Sequence, residues 1–463
     1  MSGDVPFGFG SSSHDPDDDE SGNDGNQGLP EGFDLASIGA ALQQLGMMLQ
    51  AGGEGSEGPV NWNLATDVAR QNIAVAGDPS VGGAQRRAVK DAVGLADVWL
   101  DTAMQFPATA GDARSWSRSE WLEATMPAWR RIVAPIARQL EATMQGLMPS
   151  DPSATDALGF SGMDIPGMPV GMAKMMGSAM FGMQVGQGLA ALATEVVSAS
   201  DVGIPLTSDG HASLIPGNIK AFSEGLDLPD ADVLVFLALR EAAHERLFAH
   251  VPWLRGRVEG ALEGYASGIK VDRDRIENAI AGVDLQNPDA LQEALGSGVF
   301  EPEDTEEQKA SLVRLETLLA LIEGWVEDVV DGAVADRLPS YDRLRETLRR
   351  RRAIGGPAEK TFATLVGLEL RPRRMREAAE LWQQLRERSG IEARDALWAH
   401  PDLLPNGEDL EDIDGFLTGS ALTDLNASDF EDKPKPNPEY RPDTHSHDKP
   451  DSDPDDKPDS EPK

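Results

Sequence analysis

Leu239-Arg240-Glu241-Ala242-Ala243-His244-Glu245-Arg246-Leu247-Phe248 sets a glutamate three residues ahead of a histidine inside an apolar run. In the HExxH pattern two histidines four residues apart share one helix face, so that both reach one zinc, and the glutamate between them serves as general base. Here Glu241 and His244 stand in register, and the position of the first histidine is Arg240. Leu237, Glu241, His244 and Phe248 follow steps of four, three and four, so they line one face, with Arg240 at its border. A carboxylate and an imidazole set among Val233–Leu239, Leu247 and Phe248 are at least partly buried and need partners. Taken alone, His244 fits either a hydrogen-bonded core histidine or a metal ligand.

The surrounding residues frame this stretch as one helix. Pro229, Asp230 and Asp232 suit its amino end and Pro252 its close. A second polar residue interrupts an apolar helix face downstream, Glu323 within Leu318-Leu319-Ala320-Leu321-Ile322-Glu323-Gly324-Trp325-Val326. A carboxylate there either reaches the surface or answers a cation, and zinc or Arg240 would be such a cation. Two other histidines come into question as ligands. His250 is rotated about 240° from His244 around the helix, since each residue turns about 100°. His211 lies on a separate segment that no spacing ties to His244.

Working outward, the sequence predicts a mainly α body between polar ends. Residues 1–34 read as a disordered tail, 35–59 as a short helix (Leu35–Gln50) with a Gly-rich linker (Gly52–Gly58), 60–427 as the folded domain and 428–463 as a disordered, acidic, Pro-rich tail. Ser117-Arg118-Ser119-Glu120 has the form of a capping box ahead of Trp121, Leu122, Met126 and Trp129, in a helix that Pro127 and Pro135 are expected to kink. Within Gly171–Ser198, Ser178, Gly182, Gly186, Ala190 and Thr194 recur every four residues and form a smooth ridge that another helix can approach closely. Lys174, Gln184, Gln187 and Glu195 interrupt it, so it reads as a buried central helix and not a membrane span, which needs roughly 20 mostly apolar residues. Val202–Leu206, a turn at Ser208-Asp209-Gly210, Ala212–Ile215 and Ile219–Phe222 suit a small β-hairpin or short sheet. Further helices are expected near 254–268, 272–283, 306–334, 341–353 and 373–389.

Composition narrows the function classes. The chain of 463 residues has no cysteine, so thiolate metal sites and cysteine nucleophiles are excluded and any metal must use His, Asp or Glu. The amino end shows no secretory signal pattern, and a cytoplasmic location is expected. The net charge of −38 is concentrated at the ends: residues 1–34 hold nine acids and no Lys or Arg, and residues 401–463 hold nineteen acids against six bases. Such ends repel nucleic acid. The basic clusters Arg349-Arg350-Arg351-Arg352 and Arg371-Pro372-Arg373-Arg374 suit a solvated helix face balanced by acids, a site for a phosphate or acidic partner, or a hold on the acidic tail.

These residues resemble the zincin-like metallopeptidase type 2 family of actinobacterial hydrolases and zinc-dependent metalloproteases. The resemblance spans about residues 60–400. It is carried by Phe181-Gly182-Met183-Gln184-Val185-Gly186-Gln187, by Ala238–Leu254 ending in Val251-Pro252-Trp253-Leu254, by Ile322-Glu323-Gly324-Trp325, and by Gly356-Pro357-Ala358-Glu359-Lys360-Thr361-Phe362 with Leu368–Arg374. It implies a multi-helix zincin-like body, a zinc cofactor, metal ligands at His244 and Glu323, and Glu241 as general base of a peptide or protein hydrolase. It also implies two substituted positions, Arg240 for the first histidine of HExxH and Trp325 for the histidine of a downstream Glu-Gly-His. With two protein ligands left where three are usual, the motif is degenerate. Arg240 would then fill the space of the lost cation and pair with Glu241 or Glu323. Two readings follow: a zinc-dependent hydrolase working through Glu241, or a metal-free pseudoenzyme scaffold that binds a protein partner.

Overall fold

The stretch from Phe236 to Phe248 lacks a polar stripe wide enough to face water, and in the computed structural model every residue of it is buried. The structure describes residues 58–147, 170–207, 210–267, 306–353 and 374–419. The predicted helices at 35–50 and 272–283, the turn residues Ser208 and Asp209, both tails and the Gly356–Phe362 segment lie outside them.

The described chain is mainly helical. In order come α1 (Trp62–Ala76), α2 (Gly83–Leu100), β1 (Arg114–Ser115), α3 (Arg118–Leu147), α4 (Val170–Glu195), β2 (Ser213–Leu214), α5 (Pro216–Ser223), α6 (Asp230–His250), α7 (Pro252–Ser267), α8 (Glu306–Val334), α9 (Tyr341–Ala353) and α10 (Met375–Ala396). Two 3₁₀ turns and the short helices α11 (Gly407–Glu411) and α12 (Ile413–Thr418) follow. Among the described residues no helix is long and apolar enough to cross a membrane.

Two helices form the centre. α6 packs on α2 and α8, and α8 packs in turn on α7 and α10. In α8 the residues from Thr317 to Val330 are all buried. A helix surrounded on all sides must find a protein partner for each polar group it carries, because burying one unpaired costs several kcal/mol. That requirement organises the site described below.

Local chemistry explains the flanking elements. The capping box ahead of α3 is realised: the Ser117 amide donates to Glu120 Oε2 at 2.7 Å and the Glu120 amide to Ser117 Oγ at 3.3 Å. α3 continues through Pro127 and Pro135. The smooth ridge of α4 meets α1, where a Cβ added at Gly186 would lie 2.5 Å from the Ala65 carbonyl oxygen and one at Gly182 would lie 2.5 Å from that of Asn61. Glycine is therefore required by close backbone approach.

The small sheet is not a hairpin. Ser213 and Leu214 pair in parallel with Arg114 and Ser115, and Leu214 makes a further antiparallel bridge to Ser198. Ile219 and Phe222, expected to be extended, lie in α5, which Pro216 opens at its first turn. β2 thus finds its main partner about a hundred residues earlier, a pairing that local alternation cannot signal.

Candidate functional site

The buried polar side chains on α6 reach partners on several elements, and two of them, Arg240 and His244, share Glu323. Arg240 Nη2 donates to Glu323 Oε2 on α8 at 2.5 Å. One turn on, His244 sets Nδ1 2.8 Å from the Arg240 carbonyl oxygen and Nε2 3.2 Å from Glu323 Oε1. Glu245 accepts from Thr207 Oγ1 at 3.2 Å, and Arg246 spans to Asp97 on α2 and to Asp101 just past its end. Of the two acids the sequence offered to Arg240, the structure brings Glu323 to it.

Glu323 is the hub. Its side chain is 2% exposed and also binds the Arg352 guanidinium, which arrives from α9. Burial alone would raise its pKa, but Arg352, His244 and Arg240 together hold the carboxyl well below the ordinary carboxylate range. Arg240 shows the opposite balance: burial lowers its pKa and Glu323 only partly offsets this. Glu323 Oε1, on the His244 side, is covered by the Ser200–Gly203 turn. Gly203 has φ 75°, and a Cβ there would come 3.0 Å from Oε1.

Glu241 lies apart from this hub although it is buried on the same helix. Its Oε2 accepts from the Ser200 hydroxyl at 2.5 Å and from the Ser200 amide at 3.2 Å, while Oε1 accepts from the Ser213 amide at 3.1 Å. The carboxylate therefore pins the turn after α4 and strand β2 to α6. No motif marks Ser200 or Ser213, which lie 41 and 28 residues before Glu241.

Trp325 is not brought to the hub. Two residues beyond Glu323 on a helix is a rotation of about 200°, and the indole Nε1 donates to Asp395 Oδ1 at 2.9 Å. Its ring packs against Phe106, 5.6 Å between centroids, and lies 5.6 Å from the Arg394 guanidinium carbon. Gly324, between the two, faces α10, where a Cβ would lie 2.7 Å from the Ala379 amide nitrogen. His250 lies by the Pro107 carbonyl and His211 by that of Asp112, so neither joins His244.

The basic run on α9 is drawn inward. Arg349 pairs with Glu327, Arg351 reaches Asp201 and the Glu195 carbonyl, and Arg352 reaches Glu323 and the Asp201 carbonyl; Arg350, with Glu346, stays exposed. Arg352 is the principal member of the site that sequence reasoning missed, because four consecutive arginines do not reveal which one the docking of α9 turns toward α8.

The donor set does not fit a zinc site. His244 Nε2 and Glu323 Oε1 are two donors where three are usual, and Glu323 Oε2 is shared by two guanidiniums. Glu241 bonds elsewhere, and among the described residues no group of three or more His, Asp or Glu side chains is arranged to hold a metal ion.

The mainly helical fold agrees with the comparisons. A solved structure from Chloroflexus aurantiacus, a "putative hydrolase with a novel fold", superposes with a TM-score of 0.53 at 20% identity, over 80% of this chain and 99% of that one. At that identity the likeness speaks to fold alone. No curated protein matches the chain significantly. The model of the zincin-like metallopeptidase family matches residues 60–417, which include α6, α8 and the whole hub. This chain belongs to the zincin-like metallopeptidase family.

Proposed function

We propose that this chain is a metal-free member of its family, a scaffold in which Arg240 and Arg352 take the place of the metal on Glu323 and whose role is binding and not hydrolysis. The observation that carries this reading is the Glu323 carboxylate, engaged by Arg240, Arg352 and His244 at once. A guanidinium keeps its charge at any pH a cell offers, so it neutralises Glu323 as a metal would but cannot polarise a carbonyl or activate a water.

The position of Glu241 supports the same reading. A general base needs a lone pair directed at the water it activates, and both Glu241 oxygens accept hydrogen bonds from Ser200 and Ser213. The competing reading, a zinc-dependent hydrolase, draws on the family and on the description of the Chloroflexus neighbour. Peptide hydrolysis by the purified full chain, with and without added zinc, separates the two. The expected result is no turnover above buffer and no response to zinc. Zinc-stimulated turnover that Glu241→Gln abolishes would overturn the proposal.

A further inference from the structure

Beside Arg240 and Arg352 of the hub, the side chains of α6, α8, α9 and the start of α10 leave a small pocket. Arg240, Arg345, Arg349 and Arg352 line it with Glu327 and Tyr341, and its apolar wall includes Phe236, Val330 and Leu348. The buried carboxylates near these four guanidiniums are Glu323, on Arg240 and Arg352, and Glu327, on Arg349. Arg345 is answered from the exposed side by Asp331 at 3.4 Å and Asp342 at 3.1 Å, pairs that solvent weakens.

A second observation is independent of charge. Tyr341 is 8% exposed, and its buried hydroxyl has no hydrogen-bond partner among the described residues. Its ring stacks beneath the Arg345 guanidinium, 5.3 Å away. Burial and the nearby Asp331 raise its pKa above the usual 10.0, so at neutral pH the group is an O–H donor. A buried donor without an acceptor is costly enough that native structures rarely keep one.

We propose that this pocket is a binding site for the carboxylate group of a ligand, held by the guanidiniums of Arg345 and Arg349 and by the Tyr341 hydroxyl. A planar carboxylate suits the fork of a guanidinium. The site goes beyond the metal-free reading: it asks what enters the space beside the arginines, not whether zinc enters the hub.

The test is titration of the full chain at fixed ionic strength with succinate, with its neutral isostere succinamide and with inorganic phosphate, followed by calorimetry. Saturable succinate binding is expected, with none for succinamide. Arg345→Gln is expected to weaken it at least tenfold. Tyr341→Phe is expected to weaken it about three- to tenfold, the worth of one hydrogen bond. Because it deletes only a hydroxyl with no partner among the described residues, Tyr341→Phe should also leave the unliganded protein at least as stable as the parent, which keeps the test valid if Arg345→Gln fails to fold. Equal binding of succinate and succinamide, succinate binding unchanged in Tyr341→Phe, or saturable binding of phosphate without succinate would each overturn the proposal.

Discussion

Glu323→Gln isolates the hub with the smallest change of shape. The glutamine keeps one oxygen and replaces the other with an amide nitrogen, which can only donate, where Arg240 and Arg352 also donate. Two buried guanidiniums, each 8% exposed, then lose their shared counter-charge. Breaking a buried ion pair by removing one partner costs about 3–5 kcal/mol, because the charge left behind stays desolvated. Arg352 retains the Asp201 carbonyl and His244 the Arg240 carbonyl, which favours the lower half of that range. Urea unfolding at pH 7 of the parent and Glu323→Gln measures it. The reasoning also predicts that Arg240→Met/Glu323→Leu/Arg352→Met, which removes charge and counter-charge together, is more stable than Glu323→Gln although it carries more substitutions. A Glu323→Gln chain within about 0.5 kcal/mol of the parent, the usual span for a surface change, would refute the claim that this carboxylate anchors the arginines.

Other outcomes follow from the same geometry. Since Glu323 is held below the ordinary carboxylate range, near 4.3 for a free glutamate, its stabilisation is present above that pH and is lost as pH falls through the lower, folded-state value; Glu323→Gln should flatten the acid limb of a plot of stability against pH by up to about 1.4 kcal/mol per unit. Glu241→Ala removes the acceptor of three hydrogen bonds and should cost about 2–4 kcal/mol, with amide exchange at Ser213 quickening more than in α10. Gly186→Ala drives a methyl group into the Ala65 carbonyl and should lower stability by about 1–3 kcal/mol, measured by thermal unfolding. Trp325→His, which matches the downstream histidine that the family resemblance implies, should gain no affinity for zinc by calorimetry, because that position faces Asp395.

Much of this was legible in the sequence, and what was not has identifiable causes. Pro229 and Pro252 bounded α6, Ser117 and Glu120 marked the start of α3, and the four-residue spacing of small residues marked the face of α4 that receives α1. These are local signals with periods the backbone sets. The pairing of Arg240 with Glu323 was also within reach, since each was a charge on an apolar helix and the two signs are opposite. Arg352 was not, because α9 presents four arginines in succession and only its docking decides which is buried. Ser200 and Ser213 carried no signal because they bind Glu241 chiefly through the turn after α4 and strand β2, whose parallel partner lies far away in sequence. The partner of Trp325 was not legible either, because motif spacing does not show that a residue two positions beyond Glu323, turned by about 200°, faces Asp395.

On the metal-free reading, two guanidiniums stand where the family's metal would act on Glu323. Zinc content of the purified full chain, measured by elemental analysis after equilibration with zinc and removal of the excess, tests it most directly. The account predicts far less than one zinc per chain, the same in the parent, His244→Ala and Glu323→Gln. One zinc per chain in the parent, lost in His244→Ala and in Glu323→Gln, would contradict it.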